Sequence, residues 1–389
     1  MIKIGIDASN LRAGGGVTHL VELLNAADPK THGFSEIVVW SGAETLSAIE
    51  ARPWLNKVHD PLLDRSLIHR VFWQRFRLKK LAHLSGCDVV FSPGGSDVSD
   101  FRPLITMSRN LLPFEWREIR RYGFTWKGLK LLLLRYVQIR TYVKSDGLIF
   151  LTQYAHDTVM KVMPRSPRRT VTIPHGIATR FMQPPRLLRR FEEFSESSPC
   201  RLLYVSVVEL YKHQWHVVEA VAQLHAAGIP LVIDLVGSTG PGMARLRAAL
   251  RRTPRAGEFV RYLGPMPYRR LHELYLEADI NLFASSCENM PNILVEGMAA
   301  GLPIACSNRG PMPEVLGNAG VYFDPERPAD IAVALRMLIE SSDLRTEKAA
   351  MAFRRAQQYS WVRCANDTFR FLAEVYESFR NSHVVEEPL

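Results

Sequence analysis

Cysteine pairs and uninterrupted apolar runs are both missing from this chain of 389 residues. Its five cysteines are widely scattered and form no Cys-x-x-Cys pair, which argues against a disulfide framework and a cysteine-rich metal site. The apolar run near Leu131, residues 125–144, is interrupted by five lysines and arginines, whereas a membrane-spanning helix needs about 20 mostly apolar residues. The first residues enter a strand directly and show no signal-peptide pattern. We therefore expect a cytoplasmic protein with reduced thiols.

Basic residues are abundant: 49 lysines and arginines against 39 acidic residues give a net charge of +10, which favours an acidic partner or an anionic surface. Two stretches, residues 69–83 and 102–144, mix bases with aromatic side chains. This pattern is typical of helices on anionic lipid, but amphipathic helices with solvated basic faces share it, so both interpretations stay open. Neither zinc-finger spacing nor a ribonucleoprotein signature is present, so we expect no nucleic-acid binding.

Short apolar strands alternate with helical segments along the chain, which predicts an α/β protein with parallel sheets. The first six predicted strands cover residues 2–6, 36–40, 88–92, 104–107, 147–151 and 171–174. The second six cover residues 201–207, 231–237, 259–264, 279–284, 302–306 and 320–324. A segment with prolines, a charge run and a Ser/Pro cluster, residues 181–200, is predicted to be a linker between domains 1–180 and 201–360.

Two glutamates, Glu288 and Glu296, lie at a predicted strand-to-helix junction of the second domain. The strand DINLFA leads through a loop into a predicted helix over residues 292–301. Ligands of parallel sheets bind at such turns, and the free backbone N–H groups near Asn292 and Ile293 suit a diphosphate. Glu288 can then accept hydrogen bonds from sugar hydroxyls, while Glu296, one turn into the helix, can reach ribose hydroxyls.

The run from residue 284 to 317 resembles the donor-binding signature of the family 4 glycosyltransferases. Glu288 and Glu296 are followed, as in that family, by a small-residue helix, a Gly-Leu-Pro segment at 301–303 and a Pro-Glu-Val segment at 313–315. The resemblance continues along most of the chain. It implies the GT-B fold, in which two Rossmann-like domains face a cleft and a terminal helix, here at 361–382, crosses back to the first domain.

The resemblance also implies the site residues. Glu288 and Lys212 are the catalytic candidates. Donor-binding candidates are Gly15, Gly16, Gly237, Ser238, Asn289, Met290, Pro291, Asn292, Ile293 and Glu296. Acceptor-side candidates are His19, Arg109 and Asn110, although His19 is equally compatible with packing. The family's diphosphate-binding arginine is missing, because its position holds Ser206 or Val207, and the sequence does not select a replacement.

The glycine cluster around Gly15 and Gly16 allows two interpretations. It follows the first predicted strand, where the missing side chains let backbone N–H groups approach a phosphate or a sugar. A tight turn would need the same residues.

No Asp-x-Asp motif occurs, so the Mg²⁺-bridged diphosphate of the other common glycosyltransferase fold has no obvious ligands, and we expect neither a metal nor a cofactor. The resemblance implies a retaining hexosyltransferase that uses a nucleotide-diphosphate sugar, with a GDP-sugar such as GDP-mannose or a deoxy relative favoured. The implied acceptor is a lipid-linked glycan of O-antigen, lipopolysaccharide or exopolysaccharide synthesis, on the inner face of the cytoplasmic membrane. A sugar-nucleotide epimerase, a phosphorylase and a catalytically degenerate transferase subunit remain as alternatives.

Overall fold

The computed structural model describes residues 2–12 and 14–384. Their backbone divides into two compact units. The first unit contains the residues up to Phe114, Phe124–Gly176 and the residues from Ser360 onward. The second unit contains Glu115–Gly123 and Ile177–Tyr359. Each unit is built on one parallel sheet, so the predicted α/β fold class is confirmed.

The sheet of the first unit has seven strands in the order β3-β2-β1-β4-β5-β6-β7. The strands are β1 Ile2–Asp7, β2 Phe34–Ser41, β3 Leu55–His59, β4 Val89–Ser92, β5 Leu104–Met107, β6 Gly147–Phe150 and β7 Thr170–Thr172. Six of them were predicted, and β3 was missed. This strand lies at the sheet edge and none of its residues is fully buried, so it lacks the apolar run that identifies the central strands.

The sheet of the second unit has six strands in the order β10-β9-β8-β11-β12-β13, and all six were predicted. They are β8 Cys200–Val205, β9 Leu231–Val236, β10 Val260–Gly264, β11 Ile280–Phe283, β12 Ile304–Ser307 and β13 Val321–Phe323. The strand β9 is buried along its whole length and is apolar except for Asp234, which pairs with Arg261 at 2.6 Å.

Helices surround both sheets. In the first unit they are α1 Gly15–Asn25, α2 Ala43–Ser47, α3 Leu67–Trp73, α4 Lys79–Leu84, α6 Trp126–Lys144, α7 Gln153–Met160 and α16 Trp361–Val384. In the second unit they are α5 Trp116–Arg120, α8 Gln214–Ala226, α9 Met243–Arg252, α10 Ala256–Phe259, α11 Leu271–Glu277, α12 Asn292–Ala299, α13 Met312–Leu316, α14 Pro328–Glu340 and α15 Ser342–Ala356. A π-helical turn, Gln74–Leu78, joins α3 to α4. No helix in the described ranges is long and apolar enough to cross a bilayer.

The unit boundaries differ from the predicted domain limits. Helix α16 packs against α1 and β4 of the first unit, and its side chains lie so close to Gly147 that a Cβ there would come within 2.9 Å of Val375. The predicted linker at 181–200 is part of the second unit, where Arg189 pairs with Asp279 at 2.6 Å. The Arg189–Asp279 contact is made by charged residues of a type usually exposed to solvent, which is why composition alone indicated a linker.

Candidate functional site

The predicted strand-to-helix junction is present in the second unit, where β11 leads through a buried loop into α12. The helix lies close against the strand because Gly297 has no side chain: a Cβ there would stand 2.2 Å from Asn281 Nδ2. Pro291 precedes α12 and provides no side-chain cap within the described chain. The Asn292 and Leu294 amides already donate to the Met290 and Pro291 carbonyls, at 3.1 Å and 2.9 Å, so an anionic ligand at this helix start would replace these contacts.

Lys212 and Glu288 meet beside the start of α12. The Lys212 ammonium donates a hydrogen bond to Glu288 Oε1, and the two side chains are only 7% and 16% exposed. The ammonium also lies 5.3 Å from the ring centre of Tyr211 and 5.2 Å from that of Phe283. The two residues predicted to be catalytic are thus in direct contact, in a largely buried setting that strengthens their electrostatic interaction.

Backbone hydrogen bonds hold the Lys212 loop and the Glu288 loop together. The Tyr204 hydroxyl donates to the Lys212 carbonyl at 2.6 Å, and the Ser286 amide donates to the Tyr211 carbonyl at 2.8 Å. His213 adopts a left-handed conformation, with φ 54°, and its Nε2 lies 2.9 Å from Ser286 Oγ. Burial lowers the pKa of His213, so its ring is neutral at physiological pH.

Glu296 lies one turn into α12 and is buried. Its Oε2 accepts a hydrogen bond from the Tyr275 hydroxyl at 3.1 Å. Burial raises the pKa of Glu296 to about 7, although hydrogen bonds from Tyr275 and Tyr268 favour the charged form. Tyr275 lies on α11 and gives no signal in the sequence, because its contact with Glu296 depends on how α11 packs against α12.

The other donor-binding candidates of this unit occupy two neighbouring turns. Asn289, Met290 and Pro291 are buried in the loop, while Asn292 and Ile293 are partly exposed at the start of α12. The Asn292 Oδ1 atom is buried without a hydrogen-bond partner in the described chain.

Gly237 and Ser238 follow β9. A Cβ at Gly237 would come within 2.0 Å of the Ser206 carbonyl oxygen, and the Ser238 carbonyl accepts from the Val208 amide at 3.0 Å. The position of the missing arginine, Ser206 to Val207, is therefore packed against this turn. Gly237 is required for that close backbone approach.

A short segment that sequence reasoning missed, residues 115–123, also belongs to the second unit. The Tyr122 hydroxyl donates to Glu209 Oε2 at 3.0 Å, three residues before Lys212. Arg121 bonds to both Glu118 and Glu326. Burial raises the pKa of Cys287, and the nearby charges of Glu115 and Glu118 raise it further, which places the segment beside the Glu288 loop.

In the first unit, the glycine cluster and Arg109 are in contact. Gly14 has φ 66°, a left-handed conformation that favours glycine, and α1 begins at Gly15. The Arg109 guanidinium donates to the Gly15 carbonyl at 2.6 Å and to the Gly16 carbonyl at 3.2 Å. Burial lowers the pKa of Arg109 to about 10, so it stays cationic. The arginine thus binds the glycine turn, and Asn110 Oδ1 accepts from the Leu112 amide in a local turn.

His19 is fully buried in the first unit, which corresponds to the packing alternative. Its Nδ1 lies 2.8 Å from Nδ1 of His175, and both rings lie beside Trp361. With Cys364 the two histidines form a group of metal-binding side-chain types whose ligand atoms lie within 4.8 Å of one another. Burial and then the Arg109 charge lower the pKa of His175. The same positive charge would repel a cation at this group, so we assign no ion to it.

Comparisons with known proteins identify a family to which part of this chain is similar. Residues 187–356, within the second unit, match the family model "Glycosyl transferases group 1", so this unit contains a glycosyltransferase group 1 domain. O-antigen chain mannosyltransferase B of Escherichia coli is 32% identical over 110 residues, which are 28% of this chain and 29% of the relative. D-inositol 3-phosphate glycosyltransferase of Corynebacterium kroppenstedtii is 32% identical over 145 residues, 36% of this chain and 31% of the relative. The chain thus spans about a third of the length of these relatives.

Solved structures match nearly the whole chain. Sucrose-phosphate synthase from Thermosynechococcus elongatus has a TM-score of 0.75 at 16% identity, and the match covers 98% of this chain and 100% of that one. WaaG, a glycosyltransferase involved in lipopolysaccharide biosynthesis, has a TM-score of 0.69 at 15% identity, with 95% and 99% covered. Anabaena HepE in complex with UDP-glucose has a TM-score of 0.68 at 15% identity, with 98% and 100% covered. The two Rossmann-like domains of the predicted GT-B fold are confirmed.

Proposed function

We propose that this chain is a metal-independent, retaining glycosyltransferase of family 4. Its substrate is a nucleotide-diphosphate sugar, and it transfers the hexose to a lipid-linked glycan. The observation that supports this most strongly is the Lys212–Glu288 ion pair beside the start of α12, with Glu296 one turn further along the helix. The mannosyltransferase among the relatives favours GDP-mannose or a deoxy relative as the donor.

The donor binds by replacing contacts that the site already makes. Its diphosphate takes the amide groups at the start of α12 and the Lys212 ammonium, which releases Glu288 to accept a hydrogen bond from a sugar hydroxyl. Glu296 accepts from the ribose hydroxyls. Lys212 then stabilises the charge that develops on the leaving diphosphate, because a preorganised cation in a buried site needs no rearrangement during the reaction.

The reaction needs no protein base in this proposal. The bond between the sugar C1 and the diphosphate oxygen breaks, the acceptor oxygen bonds to C1 on the same face, and the acceptor proton passes to a diphosphate oxygen. Glu288 orients the sugar and forms no covalent bond with it.

The proposed acceptor is a lipid-linked glycan of O-antigen, lipopolysaccharide or exopolysaccharide synthesis, at the inner face of the cytoplasmic membrane. Gly15 and Gly16 remain donor-side candidates, with Arg109 beside them as an acceptor-side candidate.

A donor screen tests the proposal. The purified chain is screened for thermal stabilisation by GDP-, UDP- and dTDP-sugars, and the stabilising donor is then incubated with lipid-linked acceptors, with and without EDTA. We expect transfer that EDTA leaves intact and a product with the donor's anomeric configuration in its NMR spectrum. Inversion would refute the retaining mechanism. Conversion of the donor sugar without an acceptor would identify an epimerase instead, and loss of transfer in EDTA with recovery in Mg²⁺ would refute metal independence.

A further inference from the structure

The solvent-facing side of α6 is apolar. Trp126, Leu129, Leu133 and Tyr136 are 55% to 69% exposed and recur at the spacing of one helical face. On the opposite side of the same helix, Gly128 and other residues are buried. A surface helix normally presents polar residues to solvent, so this stripe indicates a surface that contacts something other than water.

A second exposed apolar stripe lies on the segment from α3 to α4. Ile68, Phe72 and Phe76 are 80%, 51% and 65% exposed, and the rings of Phe72 and Phe76 are 4.8 Å apart. Trp73 and Leu78, on the other side of the segment, are fully buried. The segment is therefore anchored by its own buried residues, and its outer side chains are not needed for the core.

A shared ion-pair partner, Asp100, links the ends of the two segments in the first unit. Asp100 pairs with Arg75, which lies between the two phenylalanines, at 2.5 Å, and with Lys144, at the end of α6, at 3.6 Å. We call the surface formed by Ile68, Phe72, Phe76, Trp126, Leu129 and Leu133 the apolar-basic face.

The charges on this face have one sign. Residues 67–84 contain five lysines and arginines, residues 126–144 contain five more, and neither segment contains an aspartate or a glutamate. Exposed Lys79, Lys80, Lys130 and Arg140 are among these bases. Apolar and aromatic side chains that alternate with bases suit the boundary between acyl chains and anionic headgroups.

We propose that the apolar-basic face binds an anionic lipid leaflet, with the apolar side chains inserted among the acyl chains and the bases on the phosphates. The choice of a membrane over a protein partner rests on the proposed function, because a lipid-linked acceptor lies at such a surface. Arg117 and Arg121 are not part of the apolar-basic face, because both belong to the second unit, where they pair with Glu326.

Vesicle flotation with the full chain tests the face. The apolar variant combines Phe76→Gln, Leu129→Gln and Leu133→Gln, and the charge variant combines Lys79→Gln, Lys80→Gln, Lys130→Gln and Arg140→Gln. Two controls change matched exposed residues of the second unit: Val333→Gln with Met337→Gln, and Arg247→Gln with Arg251→Gln and Arg252→Gln. Circular dichroism establishes that each variant is folded.

We expect the chain to bind phosphatidylglycerol vesicles and not phosphatidylcholine vesicles. The apolar variant should bind at least roughly tenfold more weakly at every salt concentration. The charge variant should bind up to several hundredfold more weakly at low salt and lose little at about 1 M salt, because each of its four bases contributes about a fivefold change near an anionic leaflet. Both controls should bind like the unchanged chain.

Two results would overturn the proposal: binding by the apolar variant equal to that of the controls, or a dimer in light scattering that the apolar variant dissociates, which would identify a second copy as the occupant. Thermal stabilisation by the donor is measured in parallel on all variants. Vesicle binding without donor binding would refute the proposed function and leave the lipid surface intact, whereas the reverse would refute only the surface.

Discussion

Lys212 and Glu288 hold each other in place before any donor arrives. Both side chains are largely buried, so a substitution that removes one charge leaves the other without compensation in a poorly solvated site. A mutation at this pair therefore has two effects: the loss of a contact to the sugar and the loss of the ion pair. A variant that keeps the shape of the side chain therefore reports on catalysis more cleanly than truncation does.

Replacing Glu288 with Gln should lower kcat on the order of a hundredfold, because a preorganised contact to the sugar is lost in the transition state. Donor Kd, measured by calorimetry, should change much less. Glu288→Ala should lose the same activity and lower the melting temperature further, since Lys212 then loses a hydrogen-bond acceptor as well as the opposite charge. Unchanged turnover in Glu288→Gln would remove this residue from the mechanism.

Glu296 makes donor binding sensitive to pH. The pKa of Glu296 in the unbound protein is about 7. Ribose hydroxyls favour the carboxylate, so below that pH donor binding releases a proton from Glu296. We expect donor Kd to fall by about tenfold per pH unit as pH rises toward 7 and to level off above it. Glu296→Gln should bind weakly and with a flat pH profile; a profile as steep as that of the unchanged chain would contradict the assignment.

The same group affects folding with the opposite sign. Its folded pKa is raised above the ordinary value of 4.5, so the stability it contributes is complete below about pH 4.5 and is lost as pH rises through about 7. Urea unfolding of the unchanged chain and of Glu296→Gln at pH 5 and pH 8 isolates this contribution. The free energy of unfolding of Glu296→Gln, relative to that of the unchanged chain, should be higher at pH 8 than at pH 5. An equal difference in the free energy of unfolding at both pH values would contradict this expectation.

At the scale of elements, α12 depends on a small residue at its contact with β11. Gly297→Ala places a methyl group where Asn281 Nδ2 lies, so we expect a loss of about 1–3 kcal/mol in the free energy of unfolding from overpacking. Asn281→Ala should remove most of that loss when the two substitutions are combined. Equal losses in both backgrounds, measured by urea unfolding, would show that Asn281 is not the obstacle.

Sequence patterns predicted every strand of both sheets except β3. All strands of the second sheet were found, whereas the edge strand β3 was missed because its side chains are mostly exposed. The spacing of Glu288 and Glu296 located the junction, but the burial of Glu296 beside Tyr275 depends on helix packing that no local pattern encodes. For α6 the sequence left two interpretations open, and the exposed fractions of its apolar side chains, which no local pattern gives, support the proposed lipid surface.

At the scale of the whole molecule, stretches that are neighbours along the chain belong to different units. The chain leaves the first unit after Phe114, contributes residues 115–123 to the second, and returns at Phe124. The segment could not be assigned from sequence because its partners Glu209 and Glu326 are far away along the chain. The bases and aromatic side chains of residues 102–144 made this region resemble part of a surface helix of the first domain.

Because residues 115–123 belong to the second unit, their response to a donor can be predicted. Tyr122 bonds to Glu209 near Lys212, and Arg121 bonds to Glu326, so residues 115–123 are tied to the unit that holds the candidate donor site. On saturation with the nucleotide-diphosphate sugar, hydrogen exchange in this segment should slow together with the Lys212 and Glu288 loops, by up to about a hundredfold at about 100 times the donor Kd.

The flanking residues 104–114 and 126–144 of the first unit provide the internal comparison, since they precede and follow the segment along the chain. Tyr122→Phe removes the hydrogen bond to Glu209 and should reduce the donor-dependent protection of the segment while the Glu288 loop keeps its own. If the segment instead exchanges at the rate of its flanks, with or without donor, the contacts of Tyr122 and Arg121 do not couple it to the donor site. Coupling would mean that residues 115–123, which interrupt the first unit along the chain, report the occupancy of the donor site in their own unit.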